Sequence, residues 1–243
     1  MTPLVGFDLE TTGVSPFDDV PVSFGFASLN AAGDTSPCFL DGGLVNPERP
    51  IPPGASAVHG ITDTMVADAP TWREVTPIIV ERLRSLWRTG DVLVGMNVSY
   101  DLTMINSLCA RQGFALLDGE HEIGPTADVL ILDRHFDRWR RGSRTLTNLC
   151  RHYGVETGAS HSALDDAAAS VAVFEALAQK FPPLSEMAPV RLSGSMRTWH
   201  REWLTDFSRY LEGKGQEPVG PGRYEWPIQL DDRRTVNGRA GEI

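Results

Sequence analysis

Apolar and polar residues alternate in LVGFDLE, with Val5, Phe7 and Leu9 on one side and Asp8 and Glu10 on the other, the period of a half-buried strand. Thr11, Thr12 and Gly13 end it, so both carboxylates fall at the strand's C-terminal end, where α/β sheets place their ligands. Alternation returns over 21–30 with Val22, Phe24 and Phe26, and residues 36–45 read as a third strand. DVLVGMN is an unbroken apolar run and predicts a fourth strand, buried on both faces.

Elsewhere the period is that of a helix. After a Pro-rich loop around Ile51 to Pro53, TWREVTPIIVERLRSLW predicts a helix opened by a Thr71/Glu74 capping box, with Pro77 bending or delaying it. Asp101 starts a helix whose Leu102, Ile105 and Leu108 form an apolar stripe. ADVLILDRHF and LTNLCRHYG read as further helices, and LDDAAASVAVFEALAQKF is the strongest helix of the chain. FPPLSEMAPVRL, residues 181–192 with three prolines, divides the chain into 1–180 and a C-terminal extension, 181–243.

In that extension Trp199, Trp203, Phe207 and Tyr210 recur at helical spacing. Two readings stay open: a helix docked on the first part, or an aromatic surface that meets a partner or second copy, or stacks unpaired bases. The last dozen residues, DRRTVNGRAGEI, are expected to fray.

Composition narrows the function. With 243 residues, 41% of them hydrophobic, the chain can bury one substantial α/β core. It has no run of eighteen apolar residues, and MTPLVGFDLE enters a strand without a signal peptide, so a cytoplasmic protein without a membrane span is expected. Cys38, Cys109 and Cys150 form no C-x-x-C pair and read as small apolar residues in a reducing compartment.

The formal charge of −10 argues against tight, sequence-specific duplex binding. Among 22 basic residues, only Lys180 and Lys214 are lysines, and several arginines gather around Trp139 in DRHFDRWRRGSR, residues 133–144. That segment either steers a phosphate backbone or is a solvated helix end and loop.

The chemistry lies in the acidic residues. Asp8, Glu10, Asp101 and Asp166 each fall near the end of an expected element, and His161 precedes the last of them by five residues. Two like charges about 4 Å apart repel by roughly 4 kcal/mol at an effective dielectric near 20, so a cluster of this kind calls for cations. Hard carboxylate oxygens suit Mg²⁺ or Mn²⁺.

FDLETTG, NVSYD and HSALDDA resemble the three motifs of the DEDDh branch of the DnaQ-like 3′–5′ exonucleases, which includes the proofreading subunit of bacterial DNA polymerase III, ribonuclease T and oligoribonuclease. VHGITDTMVADAP and LTNLCRHYG resemble connecting segments of that family, extending the likeness over about residues 4–178. Met96 stands where a His often precedes Asn97, and Tyr100 replaces a Phe; neither removes a carboxylate.

The resemblance implies an α/β, ribonuclease H-like fold with a central mixed five-stranded sheet flanked by helices. It implies two Mg²⁺ or Mn²⁺ ions, Asp8 bridging both, Glu10 and Asp166 on the ion that holds the attacking water, Asp101 supporting the second, and His161 accepting the water's proton. Thr12, Val58, His59 and Tyr100 would line the pocket for the terminal nucleotide, with Leu9 backing its base. The implied substrate is a single-stranded or frayed 3′ end of DNA, cut to nucleoside monophosphates in proofreading or repair, with RNA trimming as the alternative and a DNA polymerase or a second copy as possible partners.

Two other classes compete. Asp8-x-Glu10-Thr11 after an apolar strand also resembles the nucleophile motif of haloacid-dehalogenase-like phosphatases, but those need a Lys between that motif and the later acidic pair, and both lysines here follow Asp166. A non-catalytic polymerase-associated module would have no physical need for clustered repulsive charges.

Overall fold

The computed structural model describes residues 2–29, 37–118, 123–156 and 162–233. Among these, five strands form one mixed sheet in the order β3-β2-β1-β4-β5, the α/β, ribonuclease H-like arrangement the motifs imply. Strand β1 (Leu4–Thr11) pairs antiparallel with β2 (Pro21–Leu29), which pairs antiparallel with β3 (Pro37–Leu44). On its other side β1 runs parallel to β4 (Val92–Gly95), and β4 to β5 (Thr126–Asp128).

The alternation in β1 sorts its side chains as expected. Val5, Phe7 and Leu9 join the main core, with the Phe7 ring stacked on Phe26 at 4.6 Å. Over this face lie helices α3 (Trp72–Thr89) and α4 (Val98–Gln112). Helix α3 starts at its capping box without delay; Pro77 sits inside it, and the hydrogen bond it forfeits is the one to the carbonyl of Arg73, an exposed residue. Helix α4 begins three residues before Asp101, after Asn97 in a left-handed conformation (φ 59°).

The opposite face of β1 carries Gly6, Asp8 and Glu10, and there helix α7 (Ala163–Lys180) lies against the sheet. The approach is close because both sides are small. A Cβ on Gly6 would stand 2.0 Å from the Ala167 carbonyl oxygen, and one on Gly25 2.5 Å from the Ala163 backbone, while Ala163, Ala167 and Ala168 face the strands. This contact sets the distance between β1 and the first turn of α7.

Two elements differ from expectation. The segment ADVLILDRHF is helical only from Val129, as α5 (Val129–Phe136); Thr126–Asp128 instead completes the sheet, and Asp128 caps the helix. The Pro-rich stretch after β3 holds two short helices, α1 (Pro53–His59) and α2 (Asp63–Val66), too brief to show a period. LTNLCRHYG forms helix α6 (Leu146–Tyr153) as read.

Much of the basic segment is spent on structure. Arg140 and Arg144 both pair with Asp133, which is fully buried and also accepts the Tyr153 hydroxyl at 2.7 Å. Cys109 and Cys150 are buried free thiols and Cys38 is a half-buried one.

After helix α8 (Pro182–Ser185), helix α9 (Pro189–Glu212) docks along β5 and α5. Its Ser193 hydroxyl accepts the Thr126 N–H at 2.7 Å, covering the free edge of β5, and Leu192 and Met196 are buried beside Val92 and Val94. The chain then returns through a 3₁₀ turn (Pro221–Tyr224), burying Trp226 and Ile228. Gln229 donates its backbone N–H to Thr103 at 2.9 Å, and Arg233 pairs with Asp18 at 2.9 Å. Asp232 accepts the Gly222 N–H, so the first residues of the expected frayed tail are held; residues 234–243 lie outside the described set. No helix among the described residues is long and apolar enough to cross a membrane.

Candidate active site

Four carboxylates meet at the C-terminal ends of the parallel strands. Asp8 and Glu10 come from β1 and Asp166 from the first turn of α7, and one oxygen from each lies within 4.8 Å of the others. Helix α7 is fixed there by its own cap: the Ser162 hydroxyl accepts the Asp165 N–H at 3.1 Å and donates to the Asp165 carboxylate at 2.7 Å. Asp165 is thus a capping residue, while Asp166 faces the strand.

Asp101 joins them from the first turn of α4, where it is 4% exposed and takes a hydrogen bond from the Leu9 backbone N–H. The electrostatics record the crowding. Burial raises the Asp8 carboxyl well above the usual range, and the neighbouring Asp101, Asp166 and Glu10 charges raise it further. Burial likewise raises Asp101, against the pull of backbone N–H groups.

A fifth carboxylate, Asp128, sits behind Asp101 and escaped the sequence reading. It is 2% exposed, and its Oδ1 accepts the N–H groups of Asn97 at 3.1 Å and Leu130 at 2.9 Å. It therefore caps α5 and pins the left-handed Asn97 from which α4 departs, fixing the helix that presents Asp101. Burial pushes its carboxyl up to about 6 despite these bonds. The legible signal was Asp before an apolar run, a helix N-cap placed inside the segment read as helix.

The residues expected to hold a nucleotide surround this cluster unevenly. Leu9 is buried in the core beneath it, Val58 is 70% exposed on α1, and His59 is buried next to it. His59 Nδ1 accepts the Ile61 N–H at 3.0 Å, which puts the ring proton on Nε2, directed at the Thr11 backbone at the end of β1. The Tyr100 hydroxyl donates to the Gly13 carbonyl at 2.5 Å and lies 3.1 Å from the Thr11 hydroxyl. The Thr12 hydroxyl is turned into its own loop, donating to Asp19 at 2.9 Å. Arg111 also binds this loop, through the Phe17 carbonyl, so residues 13–19 are tied to α4 at two points. His161 lies outside the described residues.

The donor set fits divalent cations. Carboxylates that burial and mutual repulsion push toward protonation become stable anions only when a positive charge is placed between them. A pH signature follows. Carboxyls whose folded pKa is raised favour folding when protonated, so metal-free stability is lost as pH rises through those values, near 6 for Asp128. The gap in Tm between protein in Mg²⁺ and protein in EDTA is therefore expected to widen from about pH 5 to about pH 8. A gap independent of pH would contradict this assignment.

Residues 5–174 match the family model described as Exonuclease. A PolC-type DNA polymerase III of Oceanobacillus iheyensis is 32% identical over 166 residues, covering 68% of this chain and 11% of that protein. The DNA polymerase III subunit epsilon of Treponema pallidum is 28% identical over 171 residues, covering 69% of this chain and 73% of the relative. The solved Exonuclease I of Methylocaldum szegediense shares the fold with a TM-score of 0.62 at 21% identity, over 86% of this chain and 46% of that one.

Proposed function

The chain belongs to the exonuclease family, and on that premise we propose that it removes nucleotides one at a time from single-stranded or frayed 3′ ends of DNA. The observation that carries this reading is the convergence of Asp8, Glu10 and Asp166 within 4.8 Å, with Asp101 beside them, at the open ends of the parallel strands. DNA is favoured because the relatives that match most of this chain are named as DNA polymerase III proteins. The PolC-type relative is far longer than this chain, so an associated polymerase is part of the proposal. The free thiols suit the cytoplasm, where such a polymerase works.

Asp8, Glu10, Asp101 and Asp166 would hold two Mg²⁺ or Mn²⁺ ions. When bound, such ions lower the pKa of water and offset charge on the phosphoryl group and leaving oxygen. The rest falls to the chain. His161 takes the proton of the attacking water on a ring nitrogen as its oxygen bonds to phosphorus. The P–O3′ bond then breaks, with its electron pair going to the O3′ of the penultimate nucleotide and a 5′-monophosphate released. An imidazole suits that step because its ordinary pKa of about 6.5 lies near working pH.

The pocket residues position the end. Exposed Val58 offers apolar surface to the terminal base above Leu9, His59 braces the end of β1 through Thr11, and Tyr100 and Thr12 hold the Thr11–Asp19 loop in shape around the sugar.

The test is a 5′-labelled oligonucleotide in Mg²⁺ or Mn²⁺, as matched DNA and RNA strands with paired and frayed 3′ ends. A ladder shortening by single nucleotides, fastest on frayed DNA, is expected; no shortening would overturn the proposal, and faster loss of RNA would make it a trimming enzyme. His161→Ala should lower turnover by about 10²–10⁴-fold. Its Mn²⁺ affinity should stay at the wild-type value, and a parallel loss of affinity would recast His161 as a ligand.

A further inference from the structure

Helix α9 does more than cover β5. Beyond the part that docks, Trp203, Phe207 and Tyr210 stack in series, with centroids 4.9 Å and 6.3 Å apart and planes within 17° of parallel. The ladder opens toward solvent along its length, Phe207 being 36% and Tyr210 58% exposed. Each end carries a cation: the Arg134 guanidinium lies 3.4 Å from the centre of the Trp203 ring, and Lys214 Nζ 5.8 Å from that of Tyr210.

A second platform stands alongside. Trp139 is 85% exposed, Arg138 lies 5.3 Å from its ring, and the same Arg138 reaches across to Asp206 of α9 at 2.8 Å. Two residues after Trp139, Arg141 is exposed and has no ion pair among the described residues. On a chain of net charge −10, this face sets exposed aromatic rings beside arginine and lysine, with Asp206 paired to Arg138 and Arg209. That pairing, rings for bases and cations for phosphates, is how proteins hold single strands without reading sequence.

The Trp203 end of the ladder is linked to the cleft through α5. Arg134 is on α5, whose cap Asp128 stands behind Asp101, and six residues of helix span only about 9 Å.

We propose that the Trp203–Phe207–Tyr210 ladder and Trp139 form a track for the unpaired stretch of the DNA strand whose 3′ end lies at the carboxylates, an inference that rests on the exonuclease reading. Bases stack against the exposed rings of Tyr210 and Trp139, while Lys214 and Arg141 take the phosphates. Long strands then bind much more tightly than short ones, although both meet the same catalytic groups.

The test compares wild type with Phe207→Ala/Tyr210→Ala and with Trp139→Ala, all exposed positions, each checked for an unchanged Tm. Anisotropy of a fluorescein-labelled single-stranded 20-mer in EDTA reads binding, and hydrolysis of a trinucleotide in Mn²⁺ reads the catalytic groups alone. The double variant should bind the 20-mer about tenfold or more weakly. Its trinucleotide hydrolysis should equal that of wild type. Unchanged 20-mer affinity overturns the track, as does sedimentation showing a wild-type dimer that the variant converts to monomer, which would assign the face to a second copy. If wild type cleaves neither the trinucleotide nor, with Mn²⁺ in place of EDTA, the 20-mer, the exonuclease reading fails, and the binding comparison still decides whether the track exists.

Discussion

Asp8→Ala is expected to abolish hydrolysis, by at least about 10³-fold, while leaving the protein folded and, in EDTA, more resistant to heat than wild type. Activity is lost because Asp8 is the carboxylate on which the other three converge, its charge raised in cost by Asp101, Asp166 and Glu10 together. Stability is gained for the same reason. A buried carboxylate facing three others strains the metal-free fold, and close like charges repel by roughly 4 kcal/mol at an effective dielectric near 20. A group kept for packing would behave in the opposite way, losing stability and little else. Turnover assays together with melting curves in EDTA check both halves; undiminished turnover would refute the ligand assignment.

Gly6→Ala should disable the site from a distance. The new methyl would stand 2.0 Å from the Ala167 carbonyl oxygen, a backbone atom that cannot rotate away, so α7 must lift from the sheet. Overpacking of this kind costs about 1–3 kcal/mol or more, and each kcal/mol lowers Tm by about 2–4 °C in a chain of this size. Lifting α7 also carries Asp166 away from Asp8 and Glu10, and about 1 Å of misplacement can cost roughly 10²-fold in rate. Gly43→Ala is the control, since a Cβ there meets nothing within 4 Å. Equal melting and turnover for the two variants would show that the β1–α7 contact does not set the site.

The parts legible in sequence were those with a strong period or a strong terminal signal. Alternation in LVGFDLE placed Asp8 and Glu10 on one face, and the Thr71/Glu74 box marked the start of α3. Strand β5 was hidden because three residues carry no period and run straight into an apolar helix, and with it Asp128 was hidden too. The arginine segment is only half legible in sequence, because nothing local shows that Asp133 is buried and takes the guanidinium groups of Arg140 and Arg144 while Trp139 and Arg141 stay exposed. Likewise, Gly6 reads as an ordinary strand residue until Ala167, far along the chain, is seen pressed against it. Pairings of this long range are tertiary facts, and a single sequence records only one side of each.

The most direct measurement is anomalous scattering from a crystal of the wild-type protein soaked in Mn²⁺. Peaks enclosed by Asp8, Glu10, Asp101 and Asp166 are predicted. A map with no manganese among those four side chains, from protein that diffracts well and binds the ion elsewhere or not at all, would contradict the account.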